Sequence, residues 1–483
     1  MKWKSLIWRV LIVAWVGGYN YMNHSNRSHA IVIGGSMTGM LAGRVLADHY
    51  EKVTIVERDQ FPADPGFRKG VPQAPHIHVL LVRGQQILNE LFPGLDRALA
   101  EAGAPTVNWG MESINVPGGV CLPRFESDMI TRTCSRNLLE WHVRRRVAEF
   151  ANITMREKCR VEGLVLDSAE KSVVGIQVYP GDEAGDGKTT AEVWEADLIV
   201  DASGRHSQTP KWIQEYGYEI PQETIVNSFL GYATQWYRVP EGFEADWKAI
   251  LISGRPPDNP RYGGIYPIEN NQWIVTLAGI GGIYPPTDDQ EAYLEFARQL
   301  VSPLIYQALS QAEPISSIYG FRNTANRWRH YEKLERWPIN YVVMGDAFCS
   351  FNPAYGQGMT VSALSAVAID HHHRIHKAVN APRLQKDLAQ ASKNVWRLAT
   401  GEDLRWPTTE ADARELGVVT RFAHQYVEKV RLVYQSNPDA ARIFFEIAHL
   451  IRPPTQLFHP ILLGGVVQQT LSDLAGRKSD EIQ

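Results

Sequence analysis

The stretch AIVIGGSMTGMLAGRVLADHYEKVTIVERD, residues 30–59, decides the fold. Ala30 to Ile33 is a short apolar run with the β-branched content of a buried parallel strand. Gly34-Gly35-Ser36-Met37-Thr38-Gly39 makes a tight turn, and Met40 to Asp48 carries apolar residues at helical spacing. Val53 to Val56 reads as a second strand, ending on Glu57. A strand, a Gly-rich turn, a helix and a strand closed by an acid is a pattern that holds a dinucleotide. Gly34 permits the turn, a small residue at position 36 lets backbone N–H groups approach a pyrophosphate, and Gly39 lets helix and strand pack closely. The helix N-terminus favours the phosphate charge. Glu57 follows Gly34 by 57 − 34 = 23 residues, near the spacing of an acid that bonds a ribose hydroxyl. Ser36 stands where the fingerprint has its second glycine; it is small, and its hydroxyl can donate. This segment alone leaves FAD and NAD both open.

Around this core, 483 residues suffice for two or three domains. Hydrophobic content of 44% and charged content of 21% are those of an ordinary globular protein. A net charge of −4 gives no support for nucleic-acid binding. Cys121, Cys134, Cys159 and Cys349 are scattered without a CxxC pair and read as reduced thiols of a cytoplasmic protein, not as a zinc site. The first stretch, to Tyr19, has Lys2 and Lys4 before an apolar run that Arg9 and Gly17-Gly18 make too short to span a membrane. An appendage outside the fold is the favoured reading of residues 1–28. A membrane anchor, a signal peptide and a start at Met22 remain alternatives.

Following Glu57, a Pro/Gly-dense segment holds Arg68, Lys69, Gln73, His76 and His78, and reads as a loop folded over a cofactor or substrate. The two histidines lack further ligands at metal spacing. Gly84 to Gly103 is amphipathic helix broken at Pro93-Gly94, and residues 135–150 form another helix with Ser135 as N-cap. Arg136 at its N-terminal end opposes the helix dipole; a facing phosphate and a solvated surface both account for it. Arg144 to Arg146 read as a solvated face. A hairpin with a polar tip at Asp182 to Lys188 precedes a buried strand, Leu198 to Val200, and the turn Asp201-Ala-Ser-Gly-Arg205. Residues 225–285 bring aromatic-rich alternating stretches, read as an inserted antiparallel sheet. Tyr232, Trp236, Tyr266 and Trp273 are its candidate pocket-wall residues. Residues 290–312 read as one helix.

The second informative stretch is INYVVMGDAFCSFNPAYGQGMTVSALSAVAID, residues 339–370. A buried strand, Tyr341 to Met344, ends at Gly345-Asp346; an acid there is placed to bond a sugar or ribityl hydroxyl. A Pro/Gly-rich loop then leads into a helix of small residues from about Gly358, whose N-terminus stabilises negative charge. His371 to His376 reads as the solvated end of that helix. From Asn380 on the chain is largely helical, with apolar runs at Phe444 to Leu450 and Pro460 to Val467 that pack on the body or touch a membrane surface.

Taken together and in order, these segments resemble the FAD-dependent group A, aromatic-hydroxylase-like monooxygenases. The fingerprint from Gly34 to Glu57 matches at one end, and Gly345-Asp346 with Pro353 and Gly356 to Met359 at the other. Arg136 and Asp201 to Arg205 lie between them. GGSMTG, VERD, RKGVPQAPHIH and SRNLLE narrow the likeness to the flavin epoxidases of polyether biosynthesis and their relatives. The resemblance implies an α/β (α+β) fold. Its parts are a Rossmann-like FAD-binding domain with a parallel sheet (29–224 and 326–378), an inserted antiparallel substrate domain (225–325) and a helical C-terminal region (379–483). It implies that FAD is held by Gly34, Gly35, Ser36, Gly39, Glu57, Arg58, Arg68, Arg136, Asp201, Gly345, Asp346, Pro353, Gly356, Gly358 and Met359. The expected substrate side holds His76, His78, Tyr232, Trp236, Tyr266 and Trp273, with no metal and no catalytic side chain.

The implied chemistry is O2 activation by reduced flavin to a C4a-hydroperoxide, epoxidising or hydroxylating a lipophilic polyketide- or isoprenoid-like substrate. NADPH or NADH is the expected reductant. Ser203-Gly204 replaces the family's usual Asp-Gly, which leaves direct reduction and a separate reductase both open. A flavin halogenase shares the fold, but no WxWxIP segment occurs. An isoprenoid double-bond reductase and a non-catalytic flavoprotein are the remaining alternatives. Peripheral membrane contact is a further expectation.

Overall fold

The computed structural model describes residues 27–483 except 168, 170, 182–190, 377, 413–417 and 481–483, with 418–424 and 474–480 as backbone only. The appendage through residue 26 and the loop tip at Asp182 to Lys188 therefore lie outside the described residues. In chain order come β1 (His29–Ile33), α1 (Met37–Leu46), β2 (Lys52–Val56), α2 (Val82–Leu91) and α3 (Leu95–Glu101). The next elements are β3 (Ser113–Pro117), α4 (Arg136–Ala148), β4 (Ile153–Arg156), β5 (Cys159–Leu166), β6 (Val173–Pro180), β7 (Glu192–Glu195) and β8 (Leu198–Asp201).

β1 is apolar on both faces because it lies mid-sheet, and Val32, Ile55 and Val200 are fully buried. Burial of such side chains contributes roughly 2 kcal/mol each. β2 and β8 flank β1 in parallel register. β4 extends the sheet beyond β2, and a later strand extends it beyond β8. All five strands are parallel, so their C-terminal ends share one edge. The order reverses at β1, where open α/β sheets form their ligand crevice.

The inserted part holds β9 (Glu223–Asn227), β10 (Gly231–Arg238), β11 (Ala249–Ser253), β12 (Arg261–Ile268), β13 (Gln272–Gly279), α5 (Gln290–Arg298), α6 (Leu304–Leu309) and β14 (Tyr319–Phe321). β10, β13, β12 and β11 pair antiparallel, as the alternation requires. The sheet's outer strand is β3, recruited from far upstream and parallel to β11. The expected single helix over 290–312 is two helices, because Pro303 interrupts it and leads into α6.

β15 (Asn326–Arg329) pairs with β9 and with Cys349–Ser350, tying the inserted part to the second informative stretch, residues 339–370. β16 (Tyr341–Val343) is the edge strand beside β8. Helices α7 (Gly358–Ile375), α8 (Ala381–Asp403), α9 (Val418–Ser436), α10 (Pro438–Ala448) and α11 (Pro460–Asp480) follow. Among the described residues, no helix is long and apolar enough to cross a membrane.

Two surface readings are corrected. Arg144 is buried, because the loop at Phe61-Pro62 covers it and the Pro62 carbonyl accepts its Nη2 at 2.5 Å. His372 and His373 are buried too, since α8 packs along the end of α7. His372 Nδ1 lies 3.2 Å from Asp387 on α8, and His373 Nδ1 donates to the Ile369 carbonyl at 2.8 Å.

Candidate functional site

Topology alone brings four turns to one edge: Gly34–Ser36 after β1, Glu57 after β2, Asp201–Gly204 after β8 and Gly345-Asp346 after β16. Gly34 has φ +102°, and a Cβ there would meet the Ala202 carbonyl at 2.5 Å. A Cβ on Gly39 would stand 1.8 Å from the Gly34 carbonyl oxygen. Both glycines are thus required by close approach, not by composition. Gly345, at φ +60°, presses against Thr38 in the first turn of α1.

Ser36 sits at the N-cap of α1, yet its hydroxyl does not cap the helix. It accepts instead from Arg68 Nη2 at 2.5 Å, which leaves the first-turn N–H groups of α1 uncapped. The start of α7 is likewise without a side-chain cap, and Gln357 Oε1 and Thr360 Oγ1 there are buried without a partner among the described residues. Thr38 and Ser362 hydroxyls meet at 2.8 Å, so the two uncapped N-termini are neighbours. Two adjacent uncapped helix starts form a field suited to a negatively charged group.

Glu57 accepts from the Gly35 N–H at 2.9 Å and from the Asp59 N–H at 3.0 Å, fixing the turn's shape. Arg68 reaches Glu140 at 2.9 Å, Asp59 at 3.1 Å and Glu57 at 3.3 Å. Burial works against its charge, but these three acids outweigh it and raise its pKa. Arg136 lies 2.6 Å from Glu140, yet Arg136 Nη1 and Glu140 Oε2 are not aligned as a hydrogen bond. Burial lowers the Arg136 pKa, which Glu140 only partly offsets. Burial opposes the Glu140 charge, but Arg136 and Arg68 hold its carboxyl below the usual range. Arg58 is exposed.

Asp201, expected at the cofactor, is used otherwise. Its carboxylate accepts from the Ser203 N–H at 2.8 Å and from the Ser207 and Thr209 hydroxyls at 2.5 Å each. It is fully buried and holds its own turn. Asp346 differs: among the described residues no donor bonds its carboxylate. Burial raises its pKa, with Arg205 and Arg327 pulling it back.

The loop carrying His76 and His78 lies on the inserted sheet. His76 Nδ1 meets Thr234 Oγ1 at 2.8 Å, and Trp236 Nε1 donates to the Pro75 carbonyl at 2.8 Å. His76 also meets Tyr232 edge to face, with ring centroids 4.5 Å apart. Its Nε2 is buried without a partner among the described residues. Burial lowers His76 to about 3; burial, with Arg136 nearby, lowers His78 to about 4. Both are neutral at ordinary pH.

Tyr232, Thr234 and Trp236 share one face of β10 by strand alternation. Trp273 pairs with Tyr237, on the opposite face, and packs on Phe243 and Trp247. It is not a wall residue. Tyr266 is core as well, stacked near Trp109 and packed among residues of α9 and α10.

Pro353, Gly356, Gly358 and Met359 belong to the loop and first turn that open α7, and a Cβ on Gly356 would lie 3.1 Å from Val79 of the His76 loop. Sequence reasoning missed Glu140, whose i,i+4 spacing from Arg136 was a usable signal, and Asp59. Among the described residues no cluster of three metal-ligating side chains occurs.

No family model matches the chain. Protein Rv3254 of Mycobacterium tuberculosis is 34% identical over 399 residues, covering 80% of this chain and 82% of that protein. The solved structure of the flavin-dependent brominase Bmp2 superposes with a TM-score of 0.63 at 15% identity, over 94% of this chain and 100% of Bmp2. PqsL of Pseudomonas aeruginosa, described as a probable FAD-dependent monooxygenase, gives 0.52 at 16% identity, over 87% of this chain and 100% of PqsL. The fold is therefore the one these flavin-dependent proteins share.

Proposed function

The chain belongs to the family of the Mycobacterium tuberculosis protein Rv3254, and from that footing and the crevice just described we propose that it is an FAD-dependent monooxygenase. The observation that carries this reading is Asp346, a carboxylate that no donor among the described residues bonds, next to Gly345, which lies against the first turn of α1, one of two neighbouring uncapped helix N-termini. The crevice fits FAD. The glycines of the Gly34–Gly39 turn let it lie hard against Ala202 and the start of α1, which brings that helix N-terminus to the crevice, and Gln357 and Thr360 offer polar atoms with no partner among the described residues where the second segment begins.

In this reading the first-turn N–H groups of α1 bind the pyrophosphate, with Arg68 and Arg136 supplying positive charge. Glu57 orients the adenosine end, and Asp346 accepts from ribityl hydroxyls. The loop from Pro353 to Met359 lines the ring. Bound FAD, once reduced, supplies the activation of O2; no side-chain nucleophile is needed. The protein's part is to orient, to exclude water and to present substrate from the inserted sheet. His76, Tyr232 and Trp236 lie on that side, and a neutral imidazole beside aromatic rings suits a lipophilic substrate; His78, expected there too, lies instead near Arg136 and Glu140. A polyketide- or isoprenoid-like alkene, epoxidised or hydroxylated, is the substrate class proposed. NADPH or NADH, direct or through a reductase, is the electron source proposed.

A flavin halogenase is the second reading, favoured by the likeness to Bmp2 across nearly the whole chain. Oxygen uptake coupled to alkene oxidation without halide supports the first; strict halide dependence supports the second. Asp346→Ala is expected to weaken FAD on the order of 100-fold, as loss of charged hydrogen bonds would. Full FAD occupancy in that variant contradicts the ribityl assignment.

A further inference from the structure

The loop Asn352–Gly358 is held by a residue from outside both nucleotide-side segments. Asp403 ends α8 and is fully buried. Its carboxylate accepts from Asn352 Nδ2 at 3.0 and 3.1 Å and from the Tyr355 hydroxyl at 2.7 Å. It also accepts from Asn326 Nδ2 on β15 at 2.6 Å. Asn352 is held a second time, its N–H donating to Asn326 Oδ1 at 2.8 Å, while its own Oδ1 accepts from the Ala354 N–H at 3.1 Å.

We propose that Asp403 is a positioning residue that sets the Asn352–Gly358 loop against the flavin ring, making the C-terminal helical region part of the cofactor site. This rests on the FAD reading above and extends it. A buried carboxylate that receives three side-chain amide or hydroxyl donors is a specific anchor, since removing it leaves those donors without an acceptor. The anchor is itself braced. The neighbouring Glu402 pairs with Arg431 of α9 at 3.0 Å and with Arg405 at 2.9 Å, and Arg405 reaches Glu428 of α9 at 2.5 Å. Trp406 donates to the Tyr262 hydroxyl at 3.0 Å on the inserted sheet. Residues 402–406 therefore join α9, the inserted sheet and the loop.

Burial raises the Asp403 carboxyl to about 6, with Tyr355, Asn352, Asn326 and Ser228 opposing the shift. The groups around it are Tyr355 from the loop, Tyr262 from β12, and Glu402 and Arg405 in its own chain segment. Tyr355 and Tyr262 have their hydroxyl pKa values raised by burial and stay protonated, so Asp403 is the group that titrates near pH 6. The loop's anchor should change there from a neutral acid to a pure acceptor.

The test compares full-length wild type, Asp403→Asn and Tyr355→Phe, using added FAD, visible spectra from pH 5 to 8 and amide exchange of the cofactor-free protein. Expected in wild type is a flavin band that shifts with a midpoint near pH 6. In Asp403→Asn that titration should vanish, and residues 352–358 should exchange about tenfold faster. Tyr355→Phe should give the same direction at a smaller size, and decides the matter if Asp403→Asn does not fold. An unchanged titration and unchanged exchange in the variants, with FAD bound, overturns the anchor while leaving the FAD reading intact. Wild type that binds no FAD defeats the FAD reading, and loop exchange in both variants equal to wild type then defeats the anchor as well.

Discussion

Glu140 and Asp403 are both buried carboxylates beside the crevice, and their surroundings push them in opposite directions. Burial opposes the charge of each. At Glu140 the nearby Arg136 and Arg68 outweigh it, and the carboxyl falls below its usual range. At Asp403 only neutral donors oppose it, and the carboxyl rises to about 6. One end of the crevice is therefore a charge-compensated cluster of Arg68, Arg136 and Arg144 with Glu57, Asp59 and Glu140, suited to a phosphate-bearing group. The other is a single carboxylate, Asp403, in a lattice of neutral amides and hydroxyls, suited to hold a loop. The difference teaches that the same residue type is held charged or pushed toward neutrality by the company it keeps.

Breaking the charged end should have the larger effect. Glu140→Gln leaves Arg68 and Arg136 buried without their shared partner, and is expected to cost about 3 kcal/mol in urea unfolding. Because the folded Glu140 pKa is depressed, its contribution is complete above the unfolded value of about 4.3 and is lost as pH falls through the folded value. The variant should accordingly show a flatter loss of stability on the acid side. Stability equal to wild type at pH 7 would mean the cluster is not compensated as described.

Glu57→Ala should act on FAD and not mainly on stability. It frees the Gly35 N–H and removes a ribose acceptor, so a roughly tenfold rise in the FAD dissociation constant is expected. Unchanged affinity by fluorescence titration would argue against the ribose contact. Arg58→Ala, on an exposed side chain, sharpens the limit of the cluster: a change within about twofold is expected. A tenfold loss would bring Arg58 into the site.

The charged end was legible in sequence because its parts are local. The turn, the helix and Glu57 fall within thirty residues, and the glycine spacing states the close approaches directly. Arg68 was legible as a loop residue, but its acids were not, since Glu140 reaches it from another helix. The uncharged end was only half legible. Gly345-Asp346 and the loop after it follow a strand and precede a helix, a pattern readable in one dimension. Ser228, Asn326, Asn352 and Asp403 come together from four separate chain segments, and nothing in their spacing announces it. Trp273 and Asp201 failed for a related reason. Strand alternation turns Trp273 to the far face, and hydroxyls two turns later in the chain take up Asp201. Pro303 splits a helix that apolar periodicity reads as continuous.

The most direct test of the central claim is the visible absorption spectrum of the purified wild-type protein incubated with FAD and freed of excess, before and after NADPH in air-free buffer. The account predicts a protein-bound oxidised flavin spectrum, with the bands bleached by NADPH alone or by NADPH with a reductase. A protein that retains no flavin under these conditions would contradict it.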